Sequence, residues 1–405
     1  MEVNYGILAL IPPIVAISLC FATKQVLLSM FAGLFSGALV ICNWNPLSAV
    51  AYSLDTMAVN MADNVILLLF TLFMGVGIAF IWRLGGSYAL AEAAKRKFKK
   101  RRSVCLGTWG LGMLCSVNDC LVAAVDGNVF RDICKDYRIS SEKFSYVLDA
   151  TAAPAAAFFI SDWIAYQISM IGQGLDAAGI TGITPVSAYI SALPFNMYSI
   201  FTLIFVGMMM YTGRDYGPML KAEVRALTTG QFNGPNAKPM LDVGSELGEA
   251  KKTKPMIRCF VFPIVVAFVI IIGGILYTGS VNPDRTGSSL MAILDASDAQ
   301  LALYWGSFGM AVTGIVLALV TKIMSFEETM NTIVDGLKLM AMTGAILVMA
   351  WSLASITKSL GLGDFVAKYV GGNIPTGFLP ILVLGCSALI AFATGTSWGT
   401  MAIMT

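Results

Sequence analysis

The chain has 405 residues, 57% of them hydrophobic and only 12% charged, with a formal net charge of +2. That balance excludes an ordinary soluble domain and identifies an integral membrane protein. There is no histidine, which rules out a histidine proton relay and leaves carboxylates, Lys, Tyr or Cys as the groups able to titrate.

Apolar runs of about 17 to 25 residues are long enough to cross a hydrocarbon core as helices. In chain order they fall at about 5–21, 26–43, 64–82, 144–168, 195–212, 257–277, 302–321 and 336–355. The first run has neither a basic region before it nor a small-residue cleavage site after it, so it reads as a permanent helix and not a signal peptide. The eight cysteines are scattered singly, mostly in apolar runs, and are expected to be reduced, buried and structural. No cofactor and no nucleic-acid partner are expected.

The stretch "KRKFKKRR", residues 95–102, carries seven basic groups in eight positions, and the positive-inside rule places it in the cytoplasm. Arg131, Lys135, Arg138 and Lys143 follow after a short, mostly apolar segment. One crossing would put those four charges outside, whereas two full crossings need about 40 residues. A re-entrant hairpin over about 104–129 satisfies both. Continuing the count leaves all of the 26 basic residues inside except Arg285, Lys358 and Lys368.

Under that topology the second half of the chain runs opposite to the first. "FAGLFSGALV" from Phe31 crosses outward and "FGMAVTGIVL" from Phe308 crosses inward, an offset of 277 residues. The expected fold is therefore an all-α polytopic membrane protein built from inverted-topology repeats with re-entrant hairpins and broken helices, an architecture of secondary transporters. Residues 1–212 form the first repeat, 213–256 a cytoplasmic linker loop, and 257–405 the second, inverted repeat. The same offset carries the counterpart of Asp149 to Asp162 past Thr405, so the second repeat is expected to be C-terminally truncated.

Acids within the membrane cost on the order of 2.5 to 3.5 kcal/mol even on the lenient scale, so each needs a partner or a function. In "CSVNDCLVAAVDG", Ser116, Asn118 and Asp119 sit at the expected hairpin tip, where unpaired backbone oxygens and a carboxylate suit a monovalent cation. Capping of the tip's own amides is the alternative for Asp119. Asp126 lies on the returning arm nearer the cytoplasmic rim, where a solvated role or a pair with Arg131 is at least as good a reading as a functional one.

In "LDATAAPAAAFFISDWIAY", Pro154 removes a helical donor and the alanines permit close backbone approach, so an unwound or tightly packed midplane segment is expected at 151–157. Asp149 and Thr151 precede it and Asp162 follows. A cytoplasmic Lys or Arg would otherwise explain Asp149, and a place beside Trp163 in the aromatic belt would explain Asp162. In "ATGTSWGT", Thr394, Ser397 and Thr400 add neutral oxygens in a second hairpin, with small-residue helix packing as the alternative. Asp335 and Lys338, spaced i, i+3, are expected to pair with each other.

No "GxxxxGK[ST]" phosphate loop is present, which argues against transport driven by ATP. A nucleophile with its base is likewise missing, which argues against an enzyme, and scattered polar clusters do not form the rings of ligands that a channel needs.

These same stretches, "RISSEKFSYVLDATAAP" with its spacing from Asp119 and "FATGTSWGTMAIMT", resemble the NhaC-type sodium/proton antiporter family. The resemblance spans nearly the whole chain. It implies re-entrant hairpins, a scaffold part and a mobile transport part, and exchange of cytoplasmic sodium or lithium for external protons across a prokaryotic cell membrane. Through the wider ion-transporter superfamily it also implies elevator-like motion and a homodimer. Asp119 and Asp149 would hold the sodium ion, with Ser116, Asn118, Thr151, Asp162, Thr394, Ser397 and Thr400 around the path of the ion. The chain departs from the family pattern at Asn118, where a second acid is usual, at Val122, where Asn is usual, and at Asp162, where Ser is usual. The second reading is a sodium- or proton-coupled carrier of a small organic anion or amino acid.

Overall fold

The computed structural model describes residues 5–23, 25–116, 122, 126–158, 161–177, 180, 182–234, 256–283, 285, 287–362, 365, 375–394, 397 and 400–401. Among them the chain is helical, with no strand. It forms two compact units, one from residues 1–68 and 341–405, the other from 69–340.

In the first unit α1 (Ile11–Thr23) and α2 (Val26–Ile41) pack as an antiparallel pair, followed by α3 (Pro46–Asp63). Glycine makes the α1–α2 approach possible: a Cβ on Gly33 would stand 2.8 Å from the Pro12 carbonyl oxygen. Asn45 starts α3 by accepting from the amides of Leu47 (3.1 Å) and Ser48 (3.3 Å), with Pro46 supplying a first helical position that needs no donor. Leu34, Ala38, Val40, Ile356 and Leu360 share its core. α17 (Leu379–Thr394) packs on α1.

The second unit contains most of α4 (Val65–Arg83), then α5 (Gly86–Lys97), α6 (Arg101–Leu114), α7 (Gly127–Asp136), α8 (Ser141–Ala156), α9 (Asp162–Ala177), α10 (Pro185–Ala192), α11 (Met197–Thr212) and α12 (Gly217–Thr229). It continues through α13 (Arg258–Val281), α14 (Leu290–Asp295), α15 (Ala299–Thr321) and the first part of α16 (Phe326–Ser359). Val76 and Phe80 of α4, with Leu84 just after it, build a core with Ala311 and Ala318 of α15. α4 and α16 meet backbone to backbone, since a Cβ on Gly75 would fall 2.4 Å from the Gly336 carbonyl oxygen.

Four helices, α4, α13, α15 and α16, are long and apolar enough to cross a membrane, and the pair of segments Pro185–Phe195 and Met197–Thr229, bent by 50°, makes a fifth. These match the expected spans at 64–82, 195–212, 257–277, 302–321 and 336–355. Two expectations need correction. The polar stretch at 213–256 is not simply a loop, because its first part is α12, packed on α8. The segment 151–157 is not unwound either: α8 runs through Pro154 to Ala156 with buried alanines, the tightly packed alternative, and α9 opens at Asp162. Proline lacks the donor to the preceding turn, but the helix continues through it.

Asp335 pairs with Lys338 at 3.4 Å as expected. Its nearer partner, however, is Arg83 at 2.8 Å, which also reaches Thr332 Oγ1 at 3.4 Å. The last turn of α4 is thereby held to α16.

Candidate functional site

Three helices of the second unit meet at the candidate site. α6 covers the first arm of the hairpin expected over 104–129, α7 begins only at its end, and the two pack on each other and on α8. The hairpin tip at 117–121 falls outside the described residues, and with it Asn118 and Asp119. Ser116, at the end of α6, is buried, and its hydroxyl donates to the Met113 carbonyl at 2.8 Å.

Asp126 stands immediately before α7. It is not a rim residue: its exposure is 0%, neither carboxylate oxygen has a hydrogen-bond partner, and it makes no ion pair among the described residues. Arg131, its expected partner, is exposed further along α7. Although Asp126 occupies the N-cap position, its side chain caps nothing, because its own backbone is already helical. The positive end of the α7 dipole gives up to about 2 kcal/mol of relief to a carboxylate in this position. An unpaired buried charge costs more than that.

Opposite Asp126 is Thr151 on α8, also at 0% exposure, with its Oγ1 unpartnered. Gly112 on α6 lies between them. A Cβ there would stand 3.2 Å from Asp126 Oδ2 and 3.2 Å from Thr151 Cγ2, so the missing side chain lets α6 close tightly on both residues. Ala150, Ala152, Ala155 and Ala156 are buried with it, and their small side chains let α8 approach closely.

Asp149 points elsewhere. Two residues apart on a helix is about 200° around its axis, and Asp149 is exposed where Thr151 is buried. The structure therefore brings Thr151 together with Asp126, and does not bring Asp149 to the same space. Asp162 opens α9, but its side chain lies outside the described ones. Thr394, Ser397 and Thr400 belong to the other compact unit. Thr394 ends α17 with its side chain outside the described ones, Ser397 is half-buried and Thr400 is buried.

At the start of α8 the charges are paired. Lys143, 1% exposed, places its Nζ 2.7 and 3.0 Å from the two oxygens of Asp215 and 3.5 Å from Glu223. Glu223 on α12, also 1% exposed, pairs with Arg101 of α6 and accepts from the Ser140 amide at 2.7 Å. At the edge of this cluster Arg225 grips Glu142 with two bonds of 2.7 and 3.0 Å. Those bonds hold the Glu142 carboxyl below its ordinary range. The first turns of α6 and α8 are thus tied to the middle of α12 and to Asp215 just before it.

Sequence reasoning did not single out Gly112, Glu223 or Asp215, and left Asp126 at the rim. Spacing offered one usable signal: Asp126 is the only acid in the apolar stretch between Asp119 and the basic group at 131–143.

The Na+/H+ antiporter family matches residues 156–405. A protein of Haemophilus influenzae, named only "Uncharacterized protein", is 30% identical over 413 residues, which take in 100% of this chain and 77% of that protein. A second Haemophilus influenzae protein, an "Uncharacterized membrane protein", is 27% identical over 131 residues, covering 32% of this chain and 29% of that protein. No solved structure matches the chain significantly.

Proposed function

The chain belongs to the Na+/H+ antiporter family, and from that premise we propose that this multi-pass membrane transporter exchanges sodium or lithium for protons by alternating access, in the NhaC-type manner. The motifs "RISSEKFSYVLDATAAP" and "FATGTSWGTMAIMT" support the subtype. The resemblance supports a homodimer, Asp119 and Asp149 as holders of the sodium ion, and Thr151, Thr394, Ser397 and Thr400 as further contacts along its path; Ser116, Asn118 and Asp162 join them on the polar character of their own stretches.

One observation carries the reading: a fully buried carboxylate, Asp126, with neither oxygen bonded among the described residues, packed close to Thr151 around Gly112. Such a group is stable only when a proton or a cation neutralises it. Sodium and a proton compete for the same oxygens, so occupancy by one excludes the other. When the site faces alternate sides of the membrane, that exclusion becomes exchange. Among the described residues Lys143 and Arg101 are already engaged by acids, so the unpaired Asp126 favours a cation over an organic anion.

The test uses the full chain in everted vesicles with an acid interior and a pH dye, adding Na+, Li+ and K+ in turn. Proton movement that follows Na+ or Li+ is expected, and Asp126→Asn should lower it at least tenfold while the protein accumulates normally. Undiminished exchange in that variant would overturn the assignment.

A further inference from the structure

Helix α12 has two unlike faces. Its inner face carries Ala222, Glu223 and Ala226, all buried, and Glu223 belongs to the paired set at the start of α8. Its outer face carries Leu220, Val224 and Leu227, spaced i, i+4, i+7, and all three are exposed. α11, which belongs to the fifth span, exposes Phe201, Ile204, Met208 and Tyr211 at i, i+3, i+7, i+10. On a membrane-crossing helix such a stripe faces lipid. α11 ends at Gly213, whose left-handed backbone (φ 69°) turns the chain, and Tyr216 packs back on Phe205 with ring centroids 5.8 Å apart. α12 therefore begins alongside the last turns of α11.

Three exposed cations surround this junction. Arg102 lies over the Tyr211 ring, 3.5 Å from its centroid. Arg214 follows the Gly213 turn, and Lys221 flanks Leu220 on α12. None of the three makes an ion pair among the described residues. The acids of the same stretch, Asp215 and Glu223, are turned inward to Lys143 and Arg101, so the charge left on the outer side is positive.

We propose that the outer face of α12 is an anchor for anionic phospholipid headgroups: Leu220, Val224 and Leu227 enter the bilayer surface while Arg102, Arg214 and Lys221 take the phosphates. An apolar stripe flanked by Lys and Arg is what an interfacial helix needs. The positive-inside rule puts this end of α11 at the cytoplasmic leaflet, whose surface is anionic. A second copy meeting the same face about a two-fold axis would set the three cations against their own kind, whereas the leaflet supplies the opposite charge. Because the inner face of α12 holds the joint at the start of α8, headgroup attachment steadies that joint. The anchor needs only the membrane spans, whichever ion is carried.

The test uses the full chain in neutral detergent, with phosphatidylglycerol or phosphatidylcholine added in mixed micelles while the melting temperature is followed. Each cation near an anionic surface is worth about a fivefold change in affinity. Arg102→Gln, Arg214→Gln and Lys221→Gln combined should therefore raise the phosphatidylglycerol needed for half-maximal stabilisation about a hundredfold, and leave the weaker response to phosphatidylcholine unchanged. Should the triple variant accumulate poorly, Lys221→Gln alone should raise it about fivefold. An equal response of parent and variant to phosphatidylglycerol, or no preference of the parent for it over phosphatidylcholine, overturns the anchor. So does equal stabilisation by inorganic phosphate, which would make the face a site for a free anion. A mass in light scattering that halves in Val224→Ser would give the face to a second copy and overturn it as well.

Discussion

Helix α8 passes two buried sets of polar groups, and they are opposites. At its start, Lys143 is enclosed by Asp215 and Glu223, with Arg101 and the Ser140 amide completing the set. About 12 Å further on, at 1.5 Å per residue, Thr151 lies close to an Asp126 that has no partner among the described residues. Both sets are dry. The paired set is a permanent joint, because every charge has its counter-charge built into the chain. The unpaired set lacks a charge, and a mobile cation or proton can supply it. Burial alone does not separate structure from function here; compensation does.

The comparison breaks most visibly through stability. Lys143→Met leaves Asp215 buried without its cation and Glu223 with less support, so a loss of about 3–5 kcal/mol is expected. It should appear as a lower melting temperature in detergent and poor accumulation in membranes. Asp126→Asn removes a buried charge that has no partner, so stability should hold or rise by about 1–2 kcal/mol even as exchange fails. Loss of stability of similar size in both variants would mean that Asp126 has a structural partner after all, and the contrast would collapse.

A smaller effect sharpens the contrast at Gly112 itself. The methyl of Gly112→Ala would lie 3.2 Å from both Asp126 Oδ2 and Thr151 Cγ2, closer than side chains normally pack. Overpacking of this kind costs about 1–3 kcal/mol, and beside Asp126 it acts chiefly on a bound cation. The half-saturating Na+ concentration should rise about tenfold by the usual conversion of 1.4 kcal/mol. Li+, being smaller, should be affected less, and proton binding least, because a proton needs no cavity. Unchanged half-saturation for both cations would show that they do not enter in front of Asp126.

How far these features could be read from sequence depends on the distance over which each is decided. α4, α13 and α15 were legible because length and apolarity are local. The interruption was legible in kind from Pro154, yet α8 continues through it to Ala156, and the hydroxyls of Ser161 and Tyr189 take up the carbonyls of Ala156 and Ala157 where it ends. Asp126 was read as a rim residue from its nearness to Arg131. Its burial depends on the rotation of α7 and on Gly112 admitting α8, and neither is a local property. Similarly, Asp335 offered Lys338 as an obvious neighbour at i, i+3, while its closest cation is Arg83, 252 positions away. Within 213–256, a polar composition concealed α12, because its Glu223 turns inward to charges on α6 and α8.

The smallest expected effect lies at the edge of the paired set. Glu142 and Arg225 join α8 to α12 as the buried cluster does, but the Glu142 side chain is 40% exposed. Arg225 holds the Glu142 carboxyl below its ordinary value, so the folded form binds its proton less readily than the unfolded chain. The stabilisation is therefore fully present above the unfolded value, about 4.3 for Glu, and is lost as pH falls through the lowered folded value. Solvent screening keeps it well under about 1 kcal/mol. Glu142→Gln should thus melt slightly below the parent at pH 7 and level with it near the acid end of that range. High salt should narrow the gap at pH 7, since at 1 M the screening length is about 3 Å. Salt should leave the effect of Lys143→Met nearly intact, because no solvent reaches between Lys143 and its acids. If salt erased both differences alike, the cluster at the foot of α8 would be open to water, and compensation inside the chain would no longer distinguish it from the unpaired Asp126.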